Sequence, residues 1–305
     1  MITVLAGGTG SIKLVRGLAA HTSDLNVVCN VGDNLWMYDM YICPDIDTTV
    51  YGLADLLDRD KGWGIRKDSF NFLRQMEAFG EETWFRIGDR DAATHLMRTN
   101  MLKNGKNLSD ITRWMCGRFA INVNVMPATD SNVETIISTK KGDMHIQEYW
   151  VKHRGREPVT GIRYEGAERA RPNPEVSRAI QDSKVVVIAP GNPLTSIGPM
   201  LKMQSIRKDL SRARSKTIAV SPIVGNKAVS GPAAQYMEAA GIEVSALGVA
   251  KMYAHACSSI VVDTKDKALV NKLSNIDMKV HAARIVMRNR QAENALAAFV
   301  LKQAR

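Results

Sequence analysis

The sequence contains little of what zinc sites, disulfides and membrane spans require. Its few cysteines lie far apart without a Cys-x-x-Cys spacing, so we expect them to be reduced and to bind no zinc. They are Cys29, Cys43, Cys116 and Cys257. The dispersed histidines form no His-Glu-x-x-His pattern, which leaves a histidine-based metal site without support. No apolar run approaches the ~20 residues of a transmembrane helix, and the start Met-Ile-Thr-Val lacks a basic leader, so we expect a cytoplasmic protein without a membrane partner.

Aromatic residues are scarce, at 6%, and acidic residues are outnumbered, which gives a net charge of +10. The basic excess is densest at 202–216, where six lysines and arginines accompany only Asp209. No aromatic side chains alternate with these charges to stack on bases, which favours an exposed helix face over a nucleic-acid site. Polyanionic small molecules explain the charge equally well. We therefore expect small-molecule substrates, no nucleic-acid partner and a homodimer.

A glycine-rich turn follows the first predicted strand. Residues 2–6 form the continuous apolar run typical of a buried parallel strand. The glycines of segment 7–10 allow positive φ angles and bring backbone N–H groups close to an anion, while Ser11 is expected to cap the next helix and Lys13 to add a charge. The turn predicts a phosphate site, but it matches neither the dinucleotide pattern nor the ATPase phosphate loop. A tight turn with nothing bound explains the same residues.

Strand-like and helix-like segments alternate at both ends of the chain. This alternation predicts a Rossmann-like, doubly wound α/β fold with a mostly parallel sheet and helices on both faces. Helices are predicted over about 48–57 and over 291–303. The predicted strands cover residues 2–6, 25–30, 184–189, 217–221, 244–249 and 259–263.

The middle of the chain has a different texture. Residues 58–128 are predicted to be mostly helical, and 135–151 to form a hairpin around a Lys-Lys-Gly-Asp turn. We interpret 58–172 as an inserted, mainly helical region with a hairpin that closes over the active site of a single domain, 1–305. In an open parallel sheet, ligands bind beyond the carboxyl ends of the strands. Four loops rich in small and polar residues are predicted at that edge: 7–13, 30–34, 189–196 and 221–226.

Asp45 and Asp47 are the main candidates for metal chemistry. Two carboxylates two residues apart at a helix start can both face a hard cation, and Mg²⁺ usually takes one or two carboxylates together with substrate phosphate oxygens. The alternative is that Asp47 only caps the helix and Asp45 is a solvated turn residue. The nearby phosphate loop favours the metal site.

Five motifs in order carry a family resemblance over nearly the whole chain. Together they resemble the 2-phospho-L-lactate transferases of coenzyme F(420) biosynthesis. The motifs are Gly7-Gly-Thr-Gly-x-x-Lys13, Pro44-Asp-x-Asp-Thr48, Gly88-Asp-Arg-Asp-x-x-Thr-His95, Asn192-Pro-x-Thr-Ser-Ile197, and Ser221-Pro-Ile with Gly225-Asn226.

The resemblance implies transfer of the 2-phospholactyl group from lactyl-2-diphospho-5'-guanosine to the ribityl hydroxyl of the deazaflavin Fo. The products would be GMP and the glutamate-free form of the coenzyme, with Mg²⁺ as cofactor. Some bacterial members of the family look able to use an enolpyruvyl donor instead. Such a transfer needs in-line positioning and cations rather than covalent help from the protein.

The family pattern also implies roles for individual residues. Asp47 and Lys13 would be catalytic, and Asp47 and Arg86 would contact Fo. Asp45 and Asp47 would hold the metal, with Asp33 as a further candidate because Asn34 stands where the family often has a second acidic residue. The expected phosphate and donor contacts are Gly7, Gly8, Thr9, Gly10, Lys13, Asn30, Asn192, Thr195, Ser196 and Asn226.

Two other functions compete with this one. Nucleotide-sugar-binding regulatory proteins share the sheet and glycine loop, but their second motif resembles Pro-Pro-Gly-Asp rather than the Pro-Asp-Ile-Asp-Thr at 44–48. A nicotinamide dehydrogenase would need glycine in place of Lys13. For the transferase, we expect Asp47→Ala to abolish transfer and to leave thermal stability near that of the parent.

Overall fold

The computed structural model describes residues 1–171, 173–269 and 277–304. Its centre is a seven-stranded parallel sheet with the strand order β14-β13-β10-β9-β1-β2-β5. These strands are β1 (Ile2–Ala6), β2 (Leu25–Cys29), β5 (Asn124–Pro127), β9 (Val185–Ile188), β10 (Thr217–Val220), β13 (Ser259–Asp263) and β14 (Lys279–Ala283). The predicted doubly wound α/β fold is confirmed.

Small antiparallel sheets flank the central one. β3 (Leu35–Met37) pairs with β4 (Met40–Ile42), and β11 (Ile223–Val224) pairs with β12 (Lys227–Ala228). A three-stranded sheet has the order β7-β6-β8. Its strands are β6 (Glu134–Thr139), β7 (Gly142–His145) and β8 (Val159–Glu165).

Helices cover the sheet and carry part of the site. The α-helices are α1 (Gly8–His21), α2 (Pro44–Leu53), α3 (Asn71–Ala78), α4 (Asp89–Lys103), α5 (Leu108–Arg118), α6 (Pro174–Asp182), α7 (Gly198–Lys202), α8 (Gln204–Arg212), α9 (Ala233–Ala239), α10 (Ala246–Tyr253) and α11 (Arg290–Gln303). Within the three described ranges, none of these helices has the length and apolar character needed to cross a membrane.

The direction of the chain changes at β1. From β1 the chain moves outward through β2 to β5, and it later returns to the other side of β1 with β9 and moves outward again through β10, β13 and β14. β1, β2 and β9 are almost completely buried, as expected of strands covered on both faces. The crevice between the carboxyl ends of β1 and β9 is therefore the topological switch point, where open α/β sheets bind ligands.

Most predicted strands are present within one or two residues, but several elements differ from the prediction. Residues 244–249 are not a strand: Ser245 caps α10, because a short apolar run fits a buried helix as well as a strand. The helix expected at 48–57 begins earlier, at Pro44. The hairpin predicted at 135–151 is formed by β6 and β7. The segment 58–172 also contains β5, which is an edge strand of the central sheet.

Candidate active site

A cavity of about 790 Å³ opens at the switch point. Its walls come from the glycine loop after β1, from α2 and α4, and from the loops that follow β9, β10 and β14. Carboxylates, a lysine, an arginine and several tryptophans therefore share one space. The predicted residues that line it are Gly8, Thr9, Gly10, Lys13, Asp33, Asp45, Asp47, Arg86, Asn192, Thr195 and Ser196.

The glycine loop turns directly into α1. The helix begins at Gly8, with Gly7 as its N-terminal cap, so Ser11 is not the cap that the sequence predicted. Ser11 lies in the first turn instead, and its Oγ donates to the carbonyl of Gly7 at 2.6 Å. Gly8 has a φ of +73°, a conformation that favours glycine. Its N–H donates to Oδ1 of Asp45 at 2.6 Å, so the loop and the acidic motif are in direct contact.

The loops after β1 and β9 pack backbone against backbone. A Cβ on Gly10 would lie 2.5 Å from the carbonyl oxygen of Pro190, and one on Gly191 would lie 2.5 Å from that of Gly7. Real Cβ atoms do not approach so closely, so glycine is required at both positions. Because neither glycine has a side chain, the two loops can pack directly against each other at the crevice.

Asn30 joins two acidic residues at the end of β2. Its Nδ2 donates to Oδ1 of Asp33 at 3.0 Å and to Oδ2 of Asp45 at 2.9 Å, and it lies 3.2 Å from the carbonyl oxygen of Thr195. Asn30 itself is completely buried and does not line the cavity. Its amide group therefore holds the two carboxylates close together by donating a hydrogen bond to each.

Burial changes the titration of both acids. It raises the pKa of Asp45 to about 6, while the hydrogen bonds from Asn30 and the Gly8 N–H act in the opposite direction. Burial and, second, the neighbouring charge of Asp45 raise the pKa of Asp33 well above its ordinary value. Such shifts are typical of carboxylates that lack a cation.

Asp47 faces a different partner from Asp45, although the two are close in sequence. Its Oδ1 accepts a hydrogen bond from Nη2 of Arg98, a residue with no exposed surface. Its Oδ2 lies 3.5 Å from Nδ1 of His95. The acidic motif thus splits: Asp45 points to the glycine loop and Asp33, whereas Asp47 points to α4.

α4 places three polar side chains against Asp47 and α2. Asp91, His95 and Arg98 recur at helical spacing and are all buried. Nε2 of His95 lies 3.3 Å from Oδ1 of Asp91, and the hydroxyl of Tyr51 donates to that same oxygen at 2.8 Å. Sequence analysis found Asp91 and His95 only as part of a motif and missed Arg98. The i, i+4, i+7 spacing of these residues was the available signal.

The cavity lining also includes aromatic side chains. Trp63, Trp84 and Trp150 line it, and so does Arg86. The guanidinium of Arg86 lies over the ring of Phe70, 4.7 Å from its centroid. A planar cation next to aromatic faces suits a flat ligand with delocalised negative charge.

Among the predicted donor contacts, Gly7 and Asn226 do not line the cavity, and the side chain of Asn192, which does line it, is bonded within its own loop. Gly7 packs beneath the loop and does not line the cavity. Oδ1 of Asn192 accepts the N–H groups of Leu194 at 3.0 Å and Thr195 at 3.3 Å, so it shapes its own loop. Asn226 is exposed at the turn between β11 and β12, and that turn holds it outside the cavity lining.

Comparisons with known proteins show the family of this chain. The protein-family model described as 2-phospho-L-lactate transferase CofD matches residues 2–298. The 2-phospho-L-lactate transferase of Methanosarcina mazei is 37% identical over 301 residues, covering 98% of this chain and 99% of that protein. The protein named phosphoenolpyruvate transferase from Streptomyces griseus is 36% identical over 311 residues, with 99% and 98% covered.

Solved structures support the fold. A UPF0052 family member from Bacillus halodurans has a TM-score of 0.64 and 15% sequence identity, with 98% of each chain covered. At this identity the likeness concerns the fold alone. The family model and the curated relatives, in contrast, extend over nearly the whole length and all five motifs. This chain therefore belongs to the 2-phospho-L-lactate transferase family.

Proposed function

We propose that this protein is a 2-phospho-L-lactate transferase of coenzyme F(420) biosynthesis. It transfers the 2-phospholactyl group from lactyl-2-diphospho-5'-guanosine to the ribityl hydroxyl of Fo and releases GMP. The observation that carries the proposal is a single cavity lined by a phosphate-type glycine loop, by three tryptophans and Arg86, and by Asp47. Family membership gives the reaction class, and the cavity gives room for two substrates. A cytoplasmic location and a homodimer stay predictions.

The glycine loop supports binding of the diphosphate. Thr9 and Gly10 line the cavity at the first turn of α1, where unpaired backbone N–H groups and the helix dipole favour an anion. Lys13 lines the same wall one turn further along. Its ammonium adds a mobile positive charge for the phosphate oxygens.

The Asp33 and Asp45 pair fits a divalent cation. Both carboxylates lie within 3.0 Å of one amide nitrogen, and burial raises the pKa of both, so a cation would offset an unfavourable concentration of negative charge. No group of three or more potential metal ligands occurs in the described part of the chain, which suits Mg²⁺ completed by substrate phosphate and water. When bound there, Mg²⁺ would neutralise charge that develops on the transferred phosphate. Because Oδ1 of Asp47 pairs with Arg98, we assign Asp47 to the acceptor hydroxyl, and its role as a metal ligand stays a prediction.

The tryptophans and Arg86 in the cavity lining support binding of the deazaflavin. Trp63, Trp84 and Trp150 offer aromatic faces, and Arg86 offers a planar cation for the acidic ring system. Asp47 lines the same cavity. We assign it to the acceptor, because a carboxylate oxygen can accept a hydrogen bond from the ribityl hydroxyl.

The transfer exchanges one phosphorus–oxygen bond for another. The new bond joins the ribityl oxygen to the phosphorus that carries the lactyl group, and the broken bond joins that phosphorus to the oxygen that leaves with GMP. The proton of the ribityl hydroxyl ends on the phosphate of the released GMP or in water. Positioning and charge stabilisation provide most of the rate enhancement in such reactions. Asp47 orients the attacking oxygen, while Lys13 and the loop N–H groups hold the diphosphate.

The identity of the three-carbon acid is tested separately. Relatives named 2-phospho-L-lactate transferase and phosphoenolpyruvate transferase are nearly equally similar to this chain, at 37% and 36% identity. We propose the lactyl donor because the family model and the relative from Methanosarcina mazei carry the name 2-phospho-L-lactate transferase. The enolpyruvyl donor is the second candidate, and the two analogues can be compared at equal concentration.

The deciding experiment combines the purified protein with Fo, lactyl-2-diphospho-5'-guanosine and Mg²⁺, and follows the products by chromatography with mass detection. Magnesium-dependent formation of GMP and phospholactyl-Fo supports the proposal, and EDTA should abolish it. Product from the enolpyruvyl donor alone would reassign the donor. No turnover, together with tight nucleotide-sugar binding by calorimetry, would overturn the proposal in favour of a regulatory binding protein.

A further inference from the structure

A buried arginine lies directly behind the carboxylate that we assign to the acceptor hydroxyl. Arg98 has no exposed surface, although it carries a full charge. Burial acts to lower the pKa of Arg98, but Asp47 raises it and the net shift is upward. Its guanidinium is therefore always protonated and can only donate hydrogen bonds.

The guanidinium is fixed by three different acceptors. Nη2 donates to Oδ1 of Asp47. Nη1 donates to the carbonyl oxygen of Tyr41 at 3.1 Å and lies 3.1 Å from Nδ1 of His95. A planar fork held at both ends defines one orientation of the carboxylate that it binds.

The same contact determines where His95 carries its hydrogen. Because Nη1 of Arg98 can only donate, Nδ1 of His95 must accept, which leaves the ring hydrogen on Nε2. Nε2 faces Oδ1 of Asp91 at 3.3 Å, and that oxygen is held by the Tyr51 hydroxyl. Nδ1 therefore has no hydrogen to offer to Oδ2 of Asp47, 3.5 Å away.

The result is one unpaired oxygen on a residue that lines the cavity. Oδ2 of Asp47 is buried and has no hydrogen-bond partner among the residues that the structure describes, whereas Oδ1 is occupied by Arg98. Buried carboxylate oxygens normally have a donor, so a vacant one in a ligand cavity indicates that a ligand supplies it. The vacant position is an acceptor and fits a hydroxyl group.

We propose that Arg98 is a positioning residue for the transfer: it holds Oδ1 of Asp47 so that Oδ2 alone accepts the hydrogen bond of the attacking hydroxyl. His95 lies on the far side of this contact, with Nδ1 3.1 Å from Nη1 of Arg98 and Nε2 3.3 Å from Oδ1 of Asp91. This inference rests on the proposed function. In this role Asp47 orients the attacking hydroxyl by accepting its hydrogen bond.

The test compares Arg98→Lys with the parent enzyme in steady-state transfer assays, below the melting temperature of both. Lysine keeps the charge but cannot hold Asp47, His95 and the Tyr41 carbonyl together. We expect kcat to fall about 100-fold, the effect of a misplaced reacting group. The KM of the guanosine donor should stay within about threefold of the parent value, because its site is elsewhere. Millimolar guanidinium should partly restore kcat in Arg98→Ala.

Arg16 provides a matched control. It is also buried and pairs through two hydrogen bonds with Glu293, but it does not line the cavity. Arg16→Lys should lower thermal stability as Arg98→Lys does, and its kcat should remain at the parent value with no response to guanidinium.

The outcomes separate the two proposals. A parent-like kcat in Arg98→Lys, measured beside an active parent, would overturn the role of Arg98 and leave the transferase function intact. An equal loss of kcat in Arg16→Lys would reduce Arg98 to a structural residue. An inactive parent would overturn the proposed function, and this role with it.

Discussion

Gly10 lies against the main-chain carbonyl of Pro190, where an added Cβ would stand 2.5 Å from the oxygen. This contact joins the loop after β1 to the loop after β9, on the two sides of the switch point. The distance between these loops sets the width of the crevice in which the donor diphosphate is proposed to bind.

Gly10→Ala should therefore weaken donor binding. The new methyl group must push the two loops apart, and overpacking of this kind costs about 1–3 kcal/mol. We expect calorimetry to give at least a tenfold lower affinity for the guanosine donor, with a lower melting temperature. The control is Gly117→Ala in α5, where an added Cβ meets nothing within 4 Å, so a stability gain of about 0.5–1 kcal/mol is expected. Unchanged donor affinity in Gly10→Ala would contradict the assignment of this crevice.

Asp33→Asn should stabilise the protein when no divalent cation is present. Burial and the charge of Asp45 raise the pKa of Asp33 in the folded state, so ionisation of Asp33 opposes folding. The cost is absent below the unfolded pKa near 4, grows as the pH rises towards the folded pKa, and is then constant. The variant lacks it, so its melting temperature should exceed the parent's at pH 8, by about 2 °C or more, and match it at pH 4.

Added Mg²⁺ should reverse this order at pH 8, because the parent gains stability from binding and the variant loses a ligand. Asp60→Asn neutralises an exposed carboxylate and should change neither result. Equal melting temperatures of parent and Asp33→Asn at pH 8 in EDTA would mean that ionisation of Asp33 does not destabilise the folded state.

Arg86→Ala should weaken acceptor binding selectively. Arg86 lines the cavity and stacks on the ring of Phe70. A cation–π contact at an exposed site contributes about 0.5–1 kcal/mol, so we expect the KM of Fo to rise about threefold and that of the donor to stay near the parent value. Arg90, nearby in sequence, is exposed and does not line the cavity, so Arg90→Ala is the control. A rise in the donor KM instead would mean that Arg86 contacts the guanosine donor and not Fo.

Some parts of this site were accessible from the sequence because they depend on local patterns. The strand at 2–6 and its glycine turn need only a short apolar run and residues without Cβ atoms. Arg98 was missed, because its spacing from Asp91 and His95 shows only a shared helix face, while its partner Asp47 is far away in the chain and close in space. The same holds for Asn30, whose amide joins Asp33 and Asp45 only after β2 and α2 have packed.

Short apolar segments were the other source of error. The run 244–249 carries no periodicity that separates a buried helix from a strand, and Ser245 decides the matter by capping α10. The strand β14 was missed because its residues are only partly buried and include a lysine and a histidine. Its loop nevertheless brings Arg288 and Met287 to the cavity.

The structure changes what Asp47→Ala should do to stability. The sequence predicted that Asp47→Ala leaves thermal stability near that of the parent, but Asp47 neutralises the completely buried Arg98. Removing one partner of a buried ion pair costs about 3–5 kcal/mol, because the other charge stays buried without compensation. We therefore expect Asp47→Ala to lose transfer activity and also to unfold at clearly lower denaturant concentration, with Asp47→Asn between it and the parent.

The double variant Asp47→Leu/Arg98→Met separates the two losses. Apolar side chains of similar volume often replace a buried ion pair at little cost, so its free energy of unfolding should return towards the parent value. Transfer should remain absent, because no carboxylate oxygen is left to accept the hydroxyl hydrogen. Denaturant unfolding and product formation, measured on the same preparations, give both quantities. If Asp47→Ala unfolds like the parent, the pair with Arg98 contributes nothing to folding.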